Sequence, residues 1–343
     1  MRALSVPEIL RYEPHPRGHE LARAAVTADY RARGIEVPAD RLVLTASSSE
    51  SYSFLFRLLA DPGDSILVPA PSYPLFDLLC RINDVSLVHY PLETGGGFGI
   101  DLEALDAAAG DARARALLVV SPGNPTGSFL KLHEVRMLDE ICARRGIPII
   151  CDEVFGDYAL GADPRRVATL AGRNRVLTFV LNGLSKMLAL PQLKLGWIAV
   201  SGPDDECAES MRRLEVIADT FLSVNTPVQA GLGDLLALRP AIQRQILDRI
   251  AMNRAHLEAA GATRGSCTCL PAEGGWYAIL KVPRTRTDEQ WALLLLEEER
   301  VLTHPGYLFD FPCEGHLVVS LLPRHETFVE AASRIFRRVE GSA

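Results

Sequence analysis

The sequence has 343 residues, 48% hydrophobic and 23% charged, which excludes a disordered or collagen-like chain and suffices for a large core. Thirty-six basic against 43 acidic side chains leave a formal charge of −7, so there is no basic footprint for nucleic acid. The longest apolar runs, such as Leu293 to Leu296 and Ile147 to Cys151, fall far short of the roughly 18 residues of a membrane span.

Residues 1 to 20 mix three arginines with Glu8, Glu13, three prolines and two histidines and contain no apolar targeting core. Seven cysteines, an odd number spread over a long chain, suit reduced thiols, and a cytoplasmic location is expected. Cys267-Thr268-Cys269 lacks the spacing of a zinc site, and the eight histidines show no ligand spacing, so no metal is expected.

In chain order, short β-branched or leucine-rich runs at 42–44, 66–68, 87–90, 117–120, 147–151, 176–181 and 198–200 predict buried strands. Helical patterns at 50–59, 75–82, 102–109 and 131–145 alternate with them. This alternation predicts an α/β fold, a mostly parallel sheet sandwiched by helices. The run Gly95-Gly96-Gly97-Phe98-Gly99 reads as a hairpin or surface turn. After Val200 the pattern changes to long amphipathic stretches at 205–222 and 226–260, a β-like segment at 275–282, a helix near 289–300 and a strand at 317–322. A smaller α+β C-terminal domain is expected there, with a bend at Arg239-Pro240. The expected units are an N-terminal segment 1–30 serving the small domain and a dimer contact, a large domain 31–238, and a small domain 239–343.

Four segments carry chemistry. Ser47, Ser48 and Ser49 stand where a strand ends and a helix begins, a place where backbone N–H groups and small hydroxyls bind phosphate. Taken alone, such a run is equally a helix cap. Ser121-Pro122-Gly123-Asn124-Pro125-Thr126-Gly127 follows a strand and reads by itself as a β-to-α loop. Asp152 ends a buried strand, where ligands of open α/β sheets bind, and its charge needs a cationic partner such as a ring nitrogen. Lys186, flanked by Gly183, Ser185 and leucines, is poorly hydrated, so desolvation lowers its pKa and makes its amine a nucleophile.

The order Asn124-Pro125-Thr126-Gly127, Asp152, Ser185-Lys186 resembles the class I/II aminotransferases, the aspartate aminotransferase superfamily of pyridoxal 5′-phosphate (PLP) enzymes of fold type I. The resemblance extends from Tyr12 and Pro16-Arg17-Gly18 through Pro71-Ser72-Tyr73-Pro74 to Glu273-Gly274-Gly275-Trp276-Tyr277. It implies that Lys186 forms the aldimine with PLP and shuttles the proton, that Asp152 pairs with the ring nitrogen, and that Asn124 bonds the ring 3-oxygen. Tyr73 would stack on the ring. Ser48, Ser49, Ser185 and Lys194 would hold the phosphate, with Ser47 beside them. Tyr12 would reach the phosphate of a neighbouring subunit, making a homodimer with a shared active site. The implied activity is ping-pong transfer of an amino group from an amino acid to a 2-oxo acid or other carbonyl compound.

Three positions depart from the family pattern. Phe155 stands where a tyrosine commonly bonds the 3-oxygen, and Tyr158 is a candidate replacement. Lys194 stands where an arginine is common, keeping charge but losing the bidentate fork. Val318 occupies the place of the arginine that receives the substrate α-carboxylate, with Arg17 and Arg324 as other cations. That loss leaves a second reading open: β-elimination, decarboxylation or a biosynthetic cyclisation. Trp276 and Tyr277 either face substrate or pack in the core. In the family several tens of residues precede the Tyr12 motif, where this sequence has eleven. A non-catalytic PLP-binding regulator would need spare length and basic charge that the sequence lacks.

Overall fold

A computed structural model describes residues 7–93, 97–263 and 265–342. Helix α1 (Glu20–Ala32) leads into strand β1 (Leu42–Thr45), and α2 (Ser48–Leu59) into β2 (Ser65–Ala70). Then come α3 (Phe76–Ile82), β3 (Ser86–Glu93), β4 (Gly99–Ile100), α4 (Leu102–Ala108), β5 (Ala114–Val120), α5 (Leu132–Arg145) and β6 (Ile149–Asp152). Strand β7 (Thr178–Gly183), the single turn α6 (Leu184–Met187) and β8 (Gly196–Ser201) complete an eight-stranded sheet in the order β1-β8-β7-β6-β5-β2-β3-β4. Strands β2, β3, β5, β6 and β7 run parallel, whereas β8 is antiparallel to β1 and β7.

This topology explains why the chemical motifs gather. The carboxyl ends of β1, β2, β5, β6 and β7 lie along one edge, so the loops after Thr45, Ala70, Val120, Asp152 and Gly183 share it. The sheet is apolar on both faces because helices cover both. Tyr30, Leu44, Leu117 and Trp197 belong to one core, and Tyr52, Phe56, Ile66 and Phe179 to the other.

Helices α7 (Asp204–Phe221), α8 (Thr226–Ala230), α9 (Leu232–Ala237) and α10 (Arg239–Thr263) follow. The stretch 226–260 is therefore three helices rather than one, interrupted at Gly231 and Leu238, with Pro240 in the first turn of α10 where its missing N–H costs nothing. In the expected N-terminal segment 1–30, α1 belongs to the large lobe rather than the small one: Ala22, Val26 and Tyr30 share a core with Trp197.

The remaining elements are β9 (Thr268–Cys269), β10 (Tyr277–Lys281), α11 (Asp288–Glu299), β11 (His304–Pro305), β12 (His316–Ser320) and α12 (His325–Glu340). Their four strands form an antiparallel sheet, β11-β12-β10-β9. Alternation along β12 divides its side chains: Leu317 and Val319 join Trp291 and Phe336, while Val318 joins Ile279, Phe98, Phe309 and Phe311. Phe98 comes from the large lobe, so Val318 lies where the two lobes meet. Gly127 and Gly274 make a second contact there: a Cβ on Gly127, whose φ is +70°, would lie 2.5 Å from the Gly274 carbonyl oxygen.

Gly95 and Gly96 lie outside the described residues, but the flanking β3 and β4 pair antiparallel, Glu93 opposite Gly99. All seven cysteines are free. Among the described residues no cluster of metal ligands occurs, and no helix is long and apolar enough to cross a membrane.

Candidate active site

Lys186 sits in α6, in the turn between two strands that approach unusually closely. A Cβ on Gly183 would lie 2.7 Å from the Gly196 Cα, so this close approach requires glycine at 183. Burial lowers the Lys186 pKa, and Asp152 opposes that shift. The Lys186 Nζ lies 5.6 Å from the ring centres of both Phe155 and Trp276, an aromatic rather than aqueous surrounding. Tyr158 does not take over the role of the missing phenol at 155. It is fully buried and donates its hydroxyl to the backbone carbonyls of Lys186 at 2.6 Å and Met187 at 3.4 Å.

Asp152 ends β6 and is buried. Its Oδ1 accepts the Val154 N–H at 2.9 Å, and its Oδ2 accepts the hydroxyl of Tyr52 at 2.5 Å. Burial pushes its pKa up, while Tyr52, Val154 and the Lys186 charge pull it down. The neighbouring Glu153 accepts from Thr169 Oγ1 and the Leu170 N–H, and burial pushes its pKa up to about 7.

Asn124 is buried at the same edge, and among the described residues its Oδ1 has no hydrogen-bond partner. Tyr73 is half-buried and edge-on to Phe76 at 5.6 Å; burial raises its pKa, with Asp152 and Tyr277 contributing. Ser47 spends its hydroxyl on capping α2, accepting the Glu50 N–H at 3.2 Å, while Glu50 Oε2 accepts the Ala46 N–H at 2.6 Å. Ser48 and Ser49 stand half-buried in the first turn of α2. Thr45 pairs with Gly196, which sets β8 against that helix start; Ser185 is half-buried in α6 and Lys194 is exposed. Tyr12 is 82% exposed.

The substrate side is apolar. Trp276 is buried edge-on to Phe155 at 5.3 Å and Tyr158 at 5.0 Å, and Tyr277 is half-buried near Phe155 at 6.2 Å. Val318 is fully buried among aromatic and aliphatic side chains. Neither other cation turns inward as a replacement: Arg17 pairs with Glu215 at 3.3 Å, and Arg324 is exposed at the cap of α12. Tyr52 escaped notice in the sequence because it falls on the apolar face of α2 beside Phe54, Leu55 and Phe56, and no local signal marks its partner 100 residues away.

A desolvated lysine, a buried carboxylate, a buried asparagine and a serine-rich helix start along one sheet edge fit the amine-reactive aldehyde, ring and phosphate of PLP. Fold and site together define a PLP-dependent enzyme of fold type I. The comparison with known proteins narrows this further: the chain belongs to the aminotransferase class I and II family, whose profile matches residues 3–335. It is a PLP-dependent aminotransferase. Glutamate-pyruvate aminotransferase AlaA of Escherichia coli K12 is 26% identical over 333 residues, covering 95% of this chain and 82% of that protein. Alanine aminotransferase of Mycobacterium bovis is 26% identical over 302 residues, 86% of this chain and 70% of that one. The fold also matches the structure of alanine aminotransferase from Pyrococcus furiosus with a TM-score of 0.89 at 24% identity, over 99% of this chain and 86% of the other.

Proposed function

We propose that this chain moves an amino group from an α-amino acid to a 2-oxo acid, using Lys186 as nucleophile and proton carrier. The observation that carries the reading is the electrostatic pairing of the half-buried Lys186 with the buried Asp152, each opposing the other's shift on burial. When bound, PLP supplies an electron-withdrawing ring that accepts the electron pair released at the substrate Cα. Asp152 would pair with the ring nitrogen, Asn124 with the ring 3-oxygen, and Tyr73 would cover the ring face. Ser48, Ser49, Ser185 and Lys194 would hold the phosphate, with Ser47 fixing the helix start that presents it.

Lys186 Nζ takes the proton from the substrate Cα, a task suited to an amine whose pKa burial has lowered toward the working range. Phe155 and Trp276 place aromatic rings 5.6 Å from that nitrogen. The Tyr158 hydroxyl holds the turn from which Lys186 projects. Two half-reactions through one site give ping-pong kinetics. The exposed ring of Tyr12 supports a homodimer in which it completes the partner's site. Free thiols and the bacterial relatives support a cytoplasmic location.

Purified protein mixed with PLP is expected to show a visible absorbance band that Lys186→Ala abolishes. Alanine or glutamate should then convert the cofactor to pyridoxamine phosphate. The apolar surroundings of Val318 favour the second reading, lyase, decarboxylase or cyclase chemistry. Pyruvate with ammonia, or CO₂, released without any pyridoxamine phosphate would establish it instead.

A further inference from the structure

We propose that Tyr52 is a positioning residue for the ring-nitrogen carboxylate, its hydroxyl holding Asp152 ionised and oriented toward the cofactor. The inference rests on the PLP reading of the site and adds a residue to it. The geometry is specific. Tyr52 projects from α2, one turn beyond Ser48 and Ser49, and its hydroxyl donates to Asp152 Oδ2 at 2.5 Å. The Val154 N–H donates to the other oxygen at 2.9 Å. Both side chains are buried, so neither bond exchanges freely with water.

The phenol ring is itself fixed, packing on Phe56 at 6.0 Å and edge-on to Phe76 at 5.2 Å. Phe76 in turn touches Tyr73 edge-on at 5.6 Å. A hydroxyl on a rigid ring holds the carboxylate plane at one angle. A carboxylate has room for such a donor and a ring N–H together, since each oxygen carries two lone pairs.

The energetic need is clear from the charges. Burial favours the neutral acid, and the Lys186 charge opposes it. Covalent attachment of an aldehyde would engage that amine. The ring nitrogen would then be the cation beside Asp152, and donated hydrogen bonds to the charged form add to it in keeping Asp152 ionised and at one angle. Tyr52 meets the requirement for a permanent donor: burial and the adjacent negative charge push its own pKa far up, so it does not become an acceptor.

The test compares wild type with Tyr52→Phe, which keeps the ring packing and removes only the hydroxyl. The ¹⁵N chemical shift of the bound cofactor's ring nitrogen should move toward the unprotonated position. The dissociation constant for PLP should rise, by less than the roughly 10- to 100-fold worth of a whole hydrogen bond to a charged group, because that bond is also made without the cofactor. In an Asp152→Asn background the same change should alter neither readout. Site-specific difluorotyrosine at 52, a stronger donor with the same shape, should shift the ring nitrogen the opposite way and applies even if Tyr52→Phe folds poorly. An unmoved ring-nitrogen shift with PLP bound, or an equal effect in the Asp152→Asn background, would overturn the assignment. Failure of wild type to bind PLP would instead overturn the PLP reading.

Discussion

The Tyr158 hydroxyl donates to the carbonyl oxygen of Lys186 at 2.6 Å, tying the lysine backbone to the segment that follows Asp152. A phenol three residues past Phe155 thus serves the lysine's turn.

Tyr158→Phe leaves the Lys186 and Met187 carbonyls without this donor inside the core. A net loss of about 1–2 kcal/mol is expected. Urea unfolding of the apo protein, read as a lower midpoint at constant slope, checks it. A midpoint equal to wild type would show that the bond carries no weight.

Val318→Arg buries a guanidinium among the apolar side chains of Phe98, Ile279, Phe309 and Phe311. Destabilisation of about 3 kcal/mol or more is expected. If the variant melts with wild-type stability and binds dicarboxylates more tightly, the pocket accommodates a cation and its apolar reading is wrong.

Glu153 gives a pH signature. Its folded pKa is about 7 against 4.5 in the unfolded chain, so between these values the folded state holds more protons. Stability contributed by the proton is complete below pH 4.5 and falls as pH rises through 7, by about 3 kcal/mol in total. Glu153→Gln, which keeps an acceptor for the Leu170 N–H, should flatten that slope. Parallel stability curves for the two proteins between pH 5 and 8 would contradict the account.

Much of the architecture was legible because the signals are local. Short β-branched or leucine-rich runs bounded by turn residues placed all seven expected strands of the large sheet, and fixed spacing tied Asn124, Asp152 and Lys186 to one family. The stretch 226–260 has helical character throughout: its break at Leu238 falls beside the expected bend at Arg239-Pro240, whereas the one at Gly231 was not legible. The same holds for α1, whose apolar stripe could have covered either lobe.

By itself, then, the sequence determined the order of elements, the sheet class and the kind of chemistry, since these depend on side-chain periodicity and on residue types at set intervals. Only the folded chain decided that Tyr52 meets Asp152, that Tyr158 holds Lys186, and that Val318 lies among aromatic side chains rather than beside a substitute cation. Each of these is a contact between groups distant along the chain. Strand order and lobe docking create such contacts, and neither leaves a trace in the residues that happen to be brought together.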